Sequence, residues 1–144
     1  MIVYAESSAV LAWLLGEADG AKVRSVLSSA DVVFASRLTL AESERALARL
    51  EAEGALPGPE SVVLRETLSR TSSHWVRFEI GAPVLARVGR PFPVEPVRTL
   101  DAIHLATALE LRAAEPGLVI VTLDHRIRAN AERLGIPVLP SLVR

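Results

Sequence analysis

Apolar residues in this chain fall into two kinds of run. Short continuous runs recur as Met1 to Ala5, Val32-Val33-Phe34-Ala35, Leu118-Val119-Ile120-Val121-Thr122 and Pro137-Val138-Leu139. They are rich in β-branched residues and read as strands buried on both faces. Trp75 to Ile80 alternates, with Trp75, Arg77 and Glu79 on one side, and predicts a further strand. Between these runs the spacing is helical. Ala9, Val10, Trp13 and Leu14 form the inner face of a helix that Ser7 or Ser8 can cap and that ends near Gly16. Asp19 is placed to cap a second helix through Ser28, with Val23, Val26 and Leu27 inward. A long helix follows from Thr39 to Glu53, ended by Gly54 and Pro57. Pro59 to Ser72 reads as another, with Pro59 in its first turn and Val62, Val63, Leu64 and Leu68 as apolar positions. Ala82 to Val88 is a short helix, and the proline-rich Pro91 to Pro96 is a loop. A helix opening at Arg98 runs to about Ala114, and Asp124 to Leu134 forms the last, closed by Gly135.

Strands separated by helices predict an α/β fold: one domain over residues 1–144, with a central, mostly parallel sheet of about five short strands flanked by helices. The length suits one core. The stretch Arg98 to Leu109 is apolar nearly all round and belongs in the middle of the fold. It nevertheless carries Asp101 and His104, three apart and therefore on one face. A buried acid is costly unless something pairs with it, so Asp101 either helps cap its helix or points into a polar site. In open parallel sheets, sites form outside the carboxyl ends of the strands. Glu6 follows the first strand and Asp124 follows the strand Leu118 to Thr122.

Composition narrows the chemistry. There are no cysteines, which excludes disulfides and thiolate metal sites. No segment approaches the roughly 20 apolar residues of a membrane span. The N-terminus has no basic region before its apolar run, so it is not a secretory signal, and a cytoplasmic protein is expected. The formal charge of -1 offers no overall basic field for nucleic acid. Of 16 basic residues only Lys22 is lysine. Arginine suits bidentate contact with phosphate, although codon bias produces the same excess.

Four acids stand out: Glu6, Glu42, Asp101 and Asp124. Each has an ordinary explanation. Glu6 can be a solvated strand-end acid. Glu42 and Asp101 sit near helix starts, where the macrodipole favours acids. Asp124 is a good N-cap. Jointly they lie at junctions that one parallel sheet can bring to one edge. Clustered carboxylates repel, and a divalent cation relieves this; an all-oxygen set suits Mg²⁺ or Mn²⁺. The reaction class is then metal-assisted phosphodiester hydrolysis. There is no Gly-rich phosphate loop. Ser7 and Ser8 lack a nucleophile-elbow setting, and His74, His104 and His125 lack zinc-type spacing. His104 reads as a satisfied core residue that could also orient the Asp101 carboxylate or a water. Arg98 reads as a partner for a nearby acid. Ser36 could cap a helix or bond a metal water, and so could Ser8, for which capping fits better.

In order, the chain presents a strand, Glu6 and Ser-Ser-Ala-Val-Leu; then Ser36-Arg37-Leu38-Thr39-Leu40-Ala41-Glu42; then Arg98-Thr99-Leu100-Asp101-Ala102-Ile103-His104-Leu105-Ala106; then Val121-Thr122-Leu123-Asp124. Over essentially its whole length it resembles the PIN-domain ribonucleases, specifically the VapC toxins of bacterial type II toxin–antitoxin modules. The resemblance implies a Mg²⁺- or Mn²⁺-dependent endoribonuclease. Glu42, Asp101 and Asp124 match the family's acidic positions, with Glu6, Asp101 and Asp124 as the expected metal set, and Ser8 matches the Ser that supports the site. It also implies a homodimer, a cognate VapB-like antitoxin and a tRNA or rRNA substrate. RNA would then need a local arginine patch, for which Arg45 and Arg49 on the Glu42 helix are candidates.

One position departs from the family. Its first acid is normally Asp, and here it is Glu6. The added methylene shifts the carboxylate by about one bond length, and octahedral Mg²⁺ tolerates misplacement poorly. This leaves open a catalytically weak PIN-like module that binds RNA or protein. A phosphate-accepting receiver domain fits poorly, because Lys22 lies in no suitable strand-end position.

Overall fold

A computed structural model of the chain describes residues 1–143. The elements are β1 (Ile2–Ala5), α1 (Ser7–Leu15), α2 (Gly20–Ser29), β2 (Val32–Ser36), α3 (Arg37–Ala52), α4 (Gly58–Ser72), β3 (Val76–Phe78), α5 (Ala82–Val88), α6 (Thr99–Ala114), β4 (Val119–Val121), α7 (His125–Arg133) and β5 (Val138–Leu139). The five strands form one sheet in the order β3-β2-β1-β4-β5, and every pairing is parallel. The α/β architecture expected from the apolar runs is therefore present.

Alternation along the strands sends side chains to two cores. Tyr4 and Ile120 join Leu105, Leu111, Ile127 and Ile136 from α6, α7 and the segment after α7. Val3, Ala5 and Val121 pack on the other face with Val10, Leu14, Val23 and Leu68 from α1, α2 and α4. Strand β1 is buried on both sides, which explains its unbroken apolar run. Helix α6 carries the most apolar mass: Ala102, Leu105, Ala106, Ala108 and Leu111 are all buried. Helices α1 and α2 cross closely at Gly20, where a Cβ would lie 2.3 Å from the Ala12 carbonyl oxygen. Only glycine permits that approach.

Several local expectations need correction. The strand expected over residues 75–80 is only three residues long. It is the sheet's outer strand, so Val76 and Arg77 are exposed and no neighbour extends the ladder on its far side. In α4, Val62 and Val63 face solvent, and the inward face is Ser61, Leu68 and Ser72. Small serines there let α4 lie close to its neighbours, a packing choice that hydropathy does not register. Helix α3 begins at Arg37, not Thr39, because the Ser36 Oγ accepts from the Leu38 N–H. Glu42 consequently lies beyond the first turn, and the macrodipole does not account for it. Asp19 stands at the N-cap of α2 without bonding its backbone; its carboxylate holds Lys22 instead, at 2.9 Å. No helix among the described residues is long and apolar enough to cross a membrane.

Candidate functional site

Strand order reverses between β1 and β4: the chain builds outward through β2 and β3, then returns to the other side of β1. A crevice opens at the carboxyl ends of two strands flanking such a reversal. Glu6 leaves β1 there, and Asp124 lies just beyond β4 at the N-cap of α7. Glu42 approaches on α3, which follows β2, and Asp101 opens the first turn of α6. The four acids singled out in the sequence do share this edge of the sheet.

Glu6, rather than Ser7 or Ser8, caps α1. The residue is 3 % exposed. Oε1 accepts from the Ser8 N–H at 3.0 Å and from Ser7 Oγ at 2.7 Å. Oε2 accepts from Thr122 Oγ1 at 2.6 Å and from Ser8 Oγ. A carboxylate has about four lone-pair sites, and four donors occupy them. Ser8 has a second task in place of capping: its Oγ accepts the backbone N–H of Leu123 at 2.9 Å and of Asp124 at 3.1 Å. It fastens the loop after β4 to the start of α1 and so fixes where Asp124 stands. Asp124 Oδ1 in turn takes the N–H groups of Arg126 and Ile127, both at 2.9 Å, as the sequence led one to expect of an N-cap.

His104 is 1 % exposed and fully partnered. Its Nδ1 meets the Tyr4 hydroxyl at 2.6 Å and its Nε2 meets Glu42 Oε1 at 2.5 Å. Ser7 Oγ also lies 3.0 Å from Glu42 Oε1, but its single proton serves the nearer acceptor, Glu6 Oε1. One donor atom each from Glu6, Glu42 and His104 lies within 4.8 Å of the others. His104 is buried with both ring nitrogens partnered, and the carboxylate it contacts is Glu42 and not Asp101.

Asp101 is half-buried and accepts no hydrogen bond among the described residues. Burial pushes its carboxyl above the usual aspartate range, and the charges of Asp124 and Glu6 push in the same direction. Arg98 and His104 oppose this from a distance. Arg98 is exposed at the N-cap of α6 and forms no ion pair among the described residues, contrary to the expected partnership. Arg45 and Arg49 project from the exposed side of α3. With Ser7, Leu11, Ala46, Leu100 and Glu42 they line an open groove of about 430 Å³ beside the acids.

These donors fit a hard divalent cation unevenly. Among the described residues, Asp101 has no hydrogen-bond partner, Asp124 keeps Oδ2 uncommitted, and Glu42 keeps Oε2 uncommitted. Burial and the nearby charges of Asp124 and Glu6 disfavour the ionised Asp101 carboxylate, and a cation would relieve this. Glu6 has no spare lone pair in this arrangement.

Sequence reasoning missed Ser7, Thr122 and Tyr4. Thr122 had a usable signal, as a hydroxyl ending an apolar strand two residues before an acid. Tyr4 had another, since a phenol in a doubly buried strand needs a polar partner. Ser7 had none beyond adjacency to Glu6.

A parallel sheet with carboxylates gathered at its point of strand-order reversal places this chain among the open α/β folds that carry a polar site at that point. Within that class, the profile of the PIN domain matches residues 3–133, and the chain belongs to this family. Ribonuclease VapC35 of Mycobacterium tuberculosis is 32% identical over 140 residues, covering 96% of each chain. Among solved structures, the Mycobacterium tuberculosis toxin VapC20, described as cleaving the sarcin–ricin loop, superposes with a TM-score of 0.63 at 16% identity, over 88% of this chain and 93% of its own. VapBC2 from Rickettsia felis, bound to a DNA fragment from its promoter, gives 0.64 at 11% identity, over 96% and 98%. At these identities the two structures speak to the fold alone.

Proposed function

We propose that this chain is an endoribonuclease, the toxin of a VapBC-type toxin–antitoxin pair, hydrolysing RNA phosphodiester bonds at a divalent-metal site. The observation that carries the reading is the convergence of Glu6, Glu42, Asp101 and Asp124 on one edge of the sheet at its reversal point. Full-length similarity to a protein named as a ribonuclease supports the same activity.

Asp101 and Asp124 would hold Mg²⁺ or Mn²⁺, with Glu42 facing it. When bound, the cation would polarise the phosphodiester and activate water. The chain's own residues prepare that chemistry. Ser8 fixes Asp124 by holding its backbone N–H, and the start of α7 orients its carboxylate. Glu6 keeps the ends of β1, α1 and β4 in register and would reach the metal only by giving up one of its donors. Arg45 and Arg49 border the groove that leads to Glu42 and would meet RNA phosphates, with a tRNA or rRNA as the substrate class. A VapB-like antitoxin and a homodimer complete the assembly, in the cytoplasm, with residues 1–144 acting as one domain.

Saturation of Glu6 favours a second reading, a PIN-like module that binds RNA or protein and cleaves weakly. Cleavage of total RNA with Mg²⁺ or Mn²⁺, with Asp101→Asn as control, separates the two. Metal-dependent cleavage abolished in the variant supports the nuclease. RNA retention with no cleavage under any divalent ion supports the binding module.

A further inference from the structure

We infer that Tyr4 and His104 form a positioning relay that fixes the Glu42 carboxylate, a role resting on the proposed nuclease reading. The relay runs from inside the sheet to the site. Tyr4 is wholly buried on β1, and its hydroxyl has one side-chain partner of short length, His104 Nδ1 at 2.6 Å. The opposite ring nitrogen contacts Glu42 Oε1 at 2.5 Å. The two ring nitrogens of a neutral imidazole have opposite roles, so a hydroxyl donating to Nδ1 leaves the proton on Nε2, aimed at the carboxylate. The phenol's own ionisation is pushed far upward by burial, so it stays a hydroxyl throughout the accessible pH range.

Geometry requires such a device at Glu42 more than at the other acids. Asp124 is held by two backbone N–H groups, and Glu6 by four donors. Glu42 is a longer side chain on a helix, beyond its first turn, and takes no backbone donor. With the single Ser7 proton on Glu6, His104 is its one side-chain donor among the described residues. The relay also joins elements distant in sequence: β1, α6 and α3 meet through three side chains.

The experiment compares Tyr4→Phe, His104→Gln and His104→Leu. Partners that orient a metal-site ligand typically contribute about 10- to 100-fold in activity. Tyr4→Phe is expected to lower kcat for RNA cleavage by about tenfold per folded molecule, with KM unchanged. His104→Gln, whose amide can still donate to Glu42, is expected to retain more activity than His104→Leu. Nitrogen-15 spectra of the metal-free protein supply a readout that needs no cleavage: Tyr4→Phe should move the His104 Nδ1 resonance, and Glu42→Gln the Nε2 resonance. Unmoved His104 resonances overturn the relay, whether or not the wild type cleaves RNA. So does a loss of activity that merely follows the folded fraction in all three variants. An inactive wild type with the expected spectral changes overturns the nuclease reading and leaves the relay standing.

Discussion

Thr122 Oγ1 donates to Glu6 Oε2 at 2.6 Å, binding the carboxyl ends of β4 and β1 across the point where the strand order reverses. Both residues are buried. Thr122→Val keeps the shape and removes the hydroxyl, leaving a buried carboxylate one donor short. The expected cost is about 1–3 kcal/mol, read as a lower urea midpoint with an unchanged m-value. An unchanged midpoint would mean that Glu6 does not depend on its cage.

Glu6→Asp shortens the side chain that fills this cage. The carboxylate can then no longer keep all four donors, so thermal stability without metal should fall. An oxygen released from those donors is open to a cation at the same sheet edge as Asp101, so Mg²⁺ affinity by calorimetry should rise. If Mg²⁺ affinity falls together with stability, the longer side chain is the better ligand and saturation is no obstacle. A rise in cleavage by orders of magnitude would mark the natural Glu as damaging to catalysis.

Asp101→Asn removes the charge that Asp124 and Glu6 repel. The folded-state pKa of Asp101 is raised, so its ionisation opposes folding. That opposition is absent below the unfolded pKa of about 3.9, grows as pH rises through the folded value, and is complete above it. Metal-free Asp101→Asn should therefore be more stable than wild type at neutral pH and equal to it in strong acid. Added Mg²⁺ should raise the melting temperature of wild type and not of the variant. Thermal scans across pH, with and without the ion, decide both points.

Gly20→Ala places a methyl against the Ala12 carbonyl, a backbone atom that cannot swing aside. The α1–α2 crossing must open, at a cost of about 1–3 kcal/mol. Because Glu6 caps α1 and Ser8 in its first turn fixes Asp124, the same variant should also weaken Mg²⁺ binding. Chemical denaturation and calorimetry on one preparation test the link.

Much of this protein was legible from local pattern. Continuous apolar runs reported a parallel sheet, because a strand covered on both faces has no polar side to display. Acids placed just after those runs reported the site, because parallel strands all end on the same edge. Asp124 was legible as a cap for the same local reason. Tertiary structure alone decided what each acid is bonded to. Thr122 lies 116 residues from Glu6, and His104 lies 62 from Glu42. No periodicity encodes such pairs; the strand order creates them by setting β4 beside β1. The inward serines of α4 escaped notice because packing there selects for size and not for hydropathy. Glu6 shows the division most sharply. The sequence marked it as a charge in the right place with the wrong length. Only the fold showed that the extra length lets the carboxylate turn back onto Ser7, Ser8 and Thr122.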